Sequence, residues 1–413
     1  MTHKTLHEIR AMDARDPLAA FRERFSLPEG VVYLDGNSLG ALPAATTGRM
    51  EHLIKTEWGR DLIRSWKTHD WIGAPRRVGD KIAKLIGADA GEVIVSDSTS
   101  INLCKLIHAA IEARPGRGVI LSEPGNFPTD LYVAQGVIRS LGNRHTLRLE
   151  TPERLIDAID ENTALLLLTH VHYKTAHVHD MHALTEAAHA RGALVLWDLS
   201  HSAGAIDVAL NAAQADLAVG CGYKYLNGGP GAPAFMFVAC RHHDSMHPAK
   251  CGWMGHARPF DFIDQYEPAA GVQRFLCGTP PVMAIAALEV GVDLLVEAGT
   301  AALVEKSRKL AELMISLVEE RCGAHGLRLI GPRDLRGRGS HVAFSHPDGY
   351  PIMQALIEHG VIGDFRAPDA IRFGLTPLYT RYQDIWDAVE RLHEILRSGC
   401  WREPKYSVRG PVS

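Results

Sequence analysis

The chain of 413 residues is short of several things, and each shortage closes off a class of protein. Its seven cysteines (Cys104, Cys221, Cys240, Cys251, Cys277, Cys322 and Cys400) are an odd number with no C-x-x-C pair. That argues against a disulfide framework or structural zinc and suits a reducing cytoplasm. No stretch approaches the roughly 18 apolar residues of a spanning helix. The longest apolar runs, such as Ala164–Leu168 and Ala232–Cys240, are strand-sized. The opening MTHKTLHEIR lacks the apolar core of a secretory signal. An excess of charge is missing too: a formal net charge of −4 gives no pull toward nucleic acid or a membrane surface. There are no internal repeats. The length exceeds what one compact core usually holds, so a large and a smaller domain are expected.

What is present is an alternation. Glu92–Ser96, Gly118–Glu123, Ala164–Val171, Ala193–Asp198, Asp216–Gly222 and Ala232–Ala239 read as short buried strands. Ser98–Ala113, Thr129–Leu141 and Met181–Arg191 read as helices between them. Continuous hydrophobicity marks strands covered on both faces, so the expected fold class is α/β with a parallel sheet flanked by helices. After Pro280-Pro281 the pattern changes. Helices over Val282–Glu297 and Ala301–Arg321 and strand-like segments at Leu327–Ile330 and His341–Phe344 come first. Pro351–His359 and Gln383–Arg397 complete a smaller α+β domain. The expected division is an N-terminal segment 1–60, a large domain 61–280 and a small domain 281–413.

In such sheets function collects beyond the carboxyl ends of the strands. Asp198 ends one strand and Lys224 follows another, while Ser98-Thr99-Ser100 and Asn126–Asp130 follow two more. A lysine after a buried strand, followed by Gly228-Gly229-Pro230-Gly231, can be desolvated into the neutral amine that attacks an aldehyde. Taken alone it is better explained as a snorkelling surface lysine. Asp198 changes that, because a pyridinium nitrogen needs a carboxylate beside it to act as an electron sink. Its bland alternative is a strand-end cap. The free N–H groups at the start of the helix after Ser98 can bind a phosphate, or Ser98 can be an ordinary N-cap. Phe127 can stack on a flat heteroaromatic ring and Asp130 can accept from its substituents; the alternative is a helix-starting turn with a core phenylalanine.

Eight segments carry a resemblance: DGNSLGALP (Asp35–Pro43), IRSW (Ile63–Trp66), NFPTDLY (Asn126–Tyr132), THVHYKT (Thr169–Thr175), WDLSHSAGA (Trp197–Ala205), GYKYLNGGPG (Gly222–Gly231), CGTPP (Cys277–Pro281) and RFGLTPLY (Arg372–Tyr379). Together they resemble the bacterial kynureninase family, within the aminotransferase class V superfamily of pyridoxal 5′-phosphate (PLP) enzymes. The resemblance implies a large PLP-binding domain with a mainly parallel sheet of the seven-stranded type. It implies that Lys224 carries the cofactor, Asp198 partners its ring nitrogen, and His201 and Asp130 lie around the ring under Phe127. Pro128, Thr129 and Thr169 are implied to contact the cofactor as well. Thr99, Ser100 and Tyr223 are implied to serve the phosphate, with Trp253 and Thr279 reaching across from the second subunit of a homodimer. Arg372 is implied to grip the substrate α-carboxylate, and Trp66 with Thr279 to shape the aryl pocket.

The implied reaction is hydrolytic Cβ–Cγ cleavage of L-kynurenine, with 3-hydroxykynurenine as a further substrate, and Tyr223 as general acid. A cysteine desulfurase or selenocysteine lyase is the nearest rival, but Cys277 and Cys322 do not lie on an expected mobile loop. An aminotransferase and a non-catalytic PLP carrier are further alternatives, and the carrier would need neither Arg372 nor Trp66. The cluster His170, His172, His177, His179 and His182 brings no carboxylate set at ligand spacing, so no metal is expected. Gly228–Gly231 lacks the spacing of a nucleotide loop.

Overall fold

The computed structural model describes residues 4–410. Its central sheet contains β1 (Val93–Val95), β2 (Val119–Ser122), β3 (Thr146–Leu149), β4 (Thr163–Thr169), β5 (Leu194–Asp198), β6 (Leu217–Gly220) and β7 (Phe235–Val238). The order across the sheet is β1-β7-β6-β5-β4-β2-β3. All neighbours are parallel except β7, which runs antiparallel to both β1 and β6.

Every residue of β4 to β7 is buried. Successive side chains point to opposite faces, so Leu166, Leu168, Val195 and Trp197 join one apolar cluster while Leu165, Leu167, Leu194 and Leu196 join the other. Two cores, one on each face, explain why these strands read as unbroken apolar runs. Two features departed from the pattern. β3 is an edge strand with no fully buried residue, so no apolar run announces it. Burial of β7 on both faces carries no record of its direction.

Local signals start the helices. The Ser98 hydroxyl accepts the Ile101 N–H at 3.4 Å and opens helix Thr99–Glu112. Pro128 takes the first position of helix Pro128–Ser140, where its missing N–H goes unneeded. Asp180 accepts the Ala183 N–H at 3.0 Å and caps Met181–Ala190.

The smaller sheet contains β8 (Arg328–Ile330), β9 (His341–Ser345), β10 (Asp364–Arg366) and β11 (Ala370–Gly374). It is antiparallel throughout, in the order β8-β9-β11-β10. Apolar packing changes over later than the sequence pattern does. Helix Val282–Ala298 buries Ile285, Leu288, Val292 and Leu295 in the large-domain core. Within the next helix, Thr300–Cys322, Leu303 still packs there, whereas Leu310, Met314 and Leu317 join the small-domain core. Ile9, Val32 and Leu34 from the N-terminal region belong to the small core too.

The DGNSLG segment runs between the domains. Val32–Tyr33 pairs with Val361–Ile362, Asp35 bridges Gly374, and the Gly40 N–H donates to the Tyr223 carbonyl at 2.8 Å. A Cβ on Gly40 would lie 2.3 Å from the Lys224 carbonyl oxygen, so only glycine permits this approach. Among the described residues no helix is long and apolar enough to cross a membrane.

Candidate active site

A cavity opens beyond the carboxyl ends of the parallel strands. Its lining comprises Ser98, Thr99, Ser100, Phe127, Thr129, Asp130, Thr169, Asp198, Ser200, His201, Tyr223, Lys224, Ala232 and Ala234. The Lys224 side chain is buried, and its Nζ lies 3.0 Å from His201 Nε2. The same nitrogen is 5.7 Å from the centre of the Phe127 ring and 6.0 Å from that of Tyr223. Asp198 and Thr169 are paired in register across β5 and β4. Asp198 Oδ1 accepts the Ser200 N–H at 2.7 Å, and the Thr169 hydroxyl lies 3.2 Å from Asp130 Oδ2.

The electrostatics follow from burial. Desolvation raises both carboxyls: Asp130 goes well above the usual carboxylate range, helped by the charge of Asp198, and Asp198 is pulled back by Ser200 and Lys224. His201 is driven well below the usual histidine range by burial first, then by Lys224, His341 and Arg372. It is therefore a neutral imidazole whose Nε2 is hydrogen-bonded to the lysine amine. Asp130 Oδ1 and His201 Nδ1 are buried without a protein partner. Such atoms call for a ligand that supplies one. PLP fits this set: Asp198 would face the ring nitrogen, Phe127 would cover the ring, and the N–H groups opening helix Thr99–Glu112 would receive the phosphate.

Opposite the lysine, the small domain supplies Arg372. Its side chain is buried, with Nε 2.7 Å from Asp364 Oδ1 and Nη2 bonded to Asp364 Oδ2. Nη2 also reaches Ser38 Oγ at 3.0 Å, and Nη1 donates to the Tyr173 carbonyl at 2.5 Å. Ser38 donates to Asp364 Oδ2 at 2.8 Å, and Arg366 closes the cluster at 2.7 Å from the same oxygen. Tyr173 packs edge-on against Phe127, with ring centres 5.4 Å apart. The fork expected to meet a substrate is thus already held by an internal carboxylate.

The single chain does not bring every expected residue to this cavity. Pro128 serves its helix start. Trp66 packs edge-on against Trp71 at 5.9 Å between ring centres, and Trp253 packs against Phe260 at 5.6 Å. Trp253 and Thr279 are both exposed. The histidine cluster disperses to separate partners: His170 to Ser202 at 3.0 Å, His172 to the Gly125 carbonyl at 2.9 Å, and His179 to Glu123 at 3.0 Å. Glu123 follows another strand, so spacing along the chain could not pair it with His179. Sequence reasoning missed Ser38, Asp364, Tyr173 and His341 as neighbours of the site. The motifs DGNSLG and THVHYKT held the first and third, but no local signal points to Asp364 or His341.

Sheet order, strand-end lysine and buried aspartate define a PLP-dependent enzyme, and the family described as Cys/Met metabolism PLP-dependent enzyme matches residues 74–235. The fold is shared with a cysteine desulfurase from Thermococcus onnurineus NA1 (TM-score 0.75, 19% identity, 96% of this chain and 99% of that one). It is shared as well with a cystine C-S lyase (TM-score 0.75, 17% identity, 89% and 98%). The kynureninase C-terminal domain matches residues 303–392. A kynureninase of Burkholderia pseudomallei (strain 1106a) is 51% identical over 415 residues, spanning 99% of this chain and 100% of the relative. One of Pseudomonas fluorescens is 50% identical over 414 residues, with the same coverage. The chain belongs to the kynureninase family.

Proposed function

We infer that the protein hydrolyses the Cβ–Cγ bond of L-kynurenine to anthranilate and L-alanine, and acts likewise on 3-hydroxykynurenine. The full-length likeness to kynureninases, spanning the strand-end lysine and its cavity, carries this reading.

Bound PLP supplies an electron sink that makes the Cα proton acidic and lets the Cβ–Cγ electrons leave. Each residue then has a task. Lys224 takes the Cα proton, and its hydrogen bond with His201 Nε2 fixes where the amine points. Asp198, buried at its strand end, would keep the ring nitrogen of the bound cofactor protonated. Phe127 and Tyr173 pack edge-on beside the lysine, with Phe127 placed to cover the cofactor ring. Burial raises the Tyr223 phenol above its usual range, so it keeps its proton and can donate it to Cβ. Hydrolysis places the water oxygen on Cγ and that proton on Cβ. Arg372 orients the α-carboxylate, which aims the Cα–H bond at Lys224.

Trp253, Phe260, Phe262 and Met283 are large apolar side chains left exposed on one protomer. They favour a homodimer in which Trp253 and Thr279 complete the phosphate site of the second copy, and Trp66 and Thr279 line its aryl pocket. Cytoplasmic residence and a place in tryptophan catabolism accompany that reading.

The test is product analysis of the PLP-loaded enzyme with L-kynurenine and 3-hydroxykynurenine. Anthranilate fluorescence with equimolar alanine is the expected result. No aryl product from either substrate, with sulfide released from cysteine, would move the chain to desulfurase chemistry.

A further inference from the structure

One buried group beside the site has no task in the account above. His341 in β9 is fully buried, yet neither ring nitrogen has a hydrogen-bond partner among the described residues. A structural core histidine would normally be satisfied.

Its position is set by register. Ala343 lies opposite Arg372 and His341 opposite Gly374. Side chains two residues apart share a face, so His341 and Arg372 project from the same face as diagonal neighbours, about 7–8 Å apart. That face looks at the lysine. The rings of His341 and His201 are 5.4 Å apart, and His201 is the group bonded to Lys224. Burial, followed by Arg372, Arg338, His172 and Lys224, holds His341 well below the usual histidine range. It is a neutral ring with one N–H to give and one lone pair to offer.

Arg372 has little left to give. Of its five N–H groups, Nε and Nη2 are engaged by Asp364 and Ser38, and Nη1 gives one to Tyr173. One N–H remains, which is too few for a two-point grip on a carboxylate.

We propose that His341 is a substrate-binding residue, whose N–H donates to the α-carboxylate of the amino-acid substrate beside the remaining N–H of Arg372. The proposal deepens the functional reading and rests on it only in requiring an α-amino acid at this site. Two donors from one sheet face, one charged and one neutral, would select a carboxylate over a carboxamide.

The experiment compares L-alanine with L-alaninamide, titrated into the PLP-loaded enzyme and followed by the absorbance of the bound cofactor. It reads binding without turnover. His341→Leu should weaken L-alanine about tenfold, the loss of one hydrogen bond to a charged group, and leave L-alaninamide within about twofold. His341→Gln keeps an N–H and should retain most of the affinity for L-alanine. Should the leucine variant fail to fold, His341→Met takes its place and is read the same way. Equal weakening of both ligands, no weakening of either, or no response of the wild type to L-alanine would overturn the proposal. Failure of the wild type to make anthranilate, with the difference between alanine and its amide intact, would instead overturn the assigned reaction and uphold His341.

Discussion

The cofactor end, which lines the cavity, and the buried Arg372 cluster packed beside it as the expected substrate end are built on opposite plans. The cofactor end comes from the ends of successive strands of one sheet, and it keeps buried valences open at Asp130 and His201. The substrate end draws on three distant stretches, around Ser38, Tyr173 and Asp364–Arg372, and its charges are already paired with one another. A buried guanidinium without a counter-charge is strongly destabilising, so Asp364 holds Arg372 in place before any substrate arrives. The cofactor end gains bonds when it fills; at the substrate end Arg372 keeps its bonds to Asp364, Ser38 and Tyr173, and only His341 and one N–H of Arg372 are left to gain a partner.

The most severe way to break the cofactor end is Lys224→Ala. Turnover should fall on the order of 10⁴-fold or more, and borohydride should no longer fix the cofactor to the chain. Covalent trapping elsewhere, with Lys174 the position to examine, would refute the assignment. Asp198→Asn comes next, with a loss of at least about 10²-fold and an unchanged fold by circular dichroism. A kcat near wild type would reduce Asp198 to a strand-end cap.

At the substrate end, Arg372→Lys keeps the charge but cannot hold Asp364, Ser38 and Tyr173 and still offer an N–H to the ligand, so KM should rise and kcat fall, together about tenfold or more in kcat/KM. An unaltered KM, with only a lower Tm, would take Arg372 out of the site. Asp364→Asn sharpens the comparison further. It should destabilise the protein by about 3–5 kcal/mol, since it leaves Arg372 buried without its partner. Added L-alanine should then raise Tm more in the variant than in wild type, because the ligand brings the missing carboxylate. Equal shifts would show that ligand and Asp364 do not compete.

The smallest effect is one of pH. Burial, then the negative charge of Asp364, raises the Asp35 carboxyl to about 7. Between its unfolded value of about 3.9 and that point the folded state holds more protons, so stability falls as pH rises. Asp35→Asn removes this slope. Relative to wild type, its Tm should be higher at pH 8 than at pH 5, and a gain independent of pH would contradict the shift.

The sheet and its site were legible to different depths. β4 to β7 are buried on both faces, so hydrophobicity alone located them, and the strand-end rule then led to Asp198, Lys224 and the Ser98–Ser100 turn. β3 escaped because none of its residues is fully buried, unlike β1 at the other edge, so it has no apolar run. The antiparallel course of β7 escaped because burial does not encode direction. Asp364 and His341 escaped for a deeper reason: their significance lies in what stands across a small antiparallel sheet, which only register reveals. Trp253 and Thr279 rest on the family likeness, and a lone protomer leaves them on its surface.

The strap from Asp35 to Gly40 has a mechanical consequence. One end is fastened to Gly374 of the small domain and the other to the carbonyl of Tyr223, next to Lys224. Five residue steps span about 18 Å when pulled straight. The small domain is therefore on a short leash. It can slide or tilt over the cavity, but it cannot swing wide without tearing the Gly40 bond and disturbing the lysine turn. While both fastenings hold, the small domain can move from the lysine turn no farther than that span, and inserting residues after Ser38 would lengthen it.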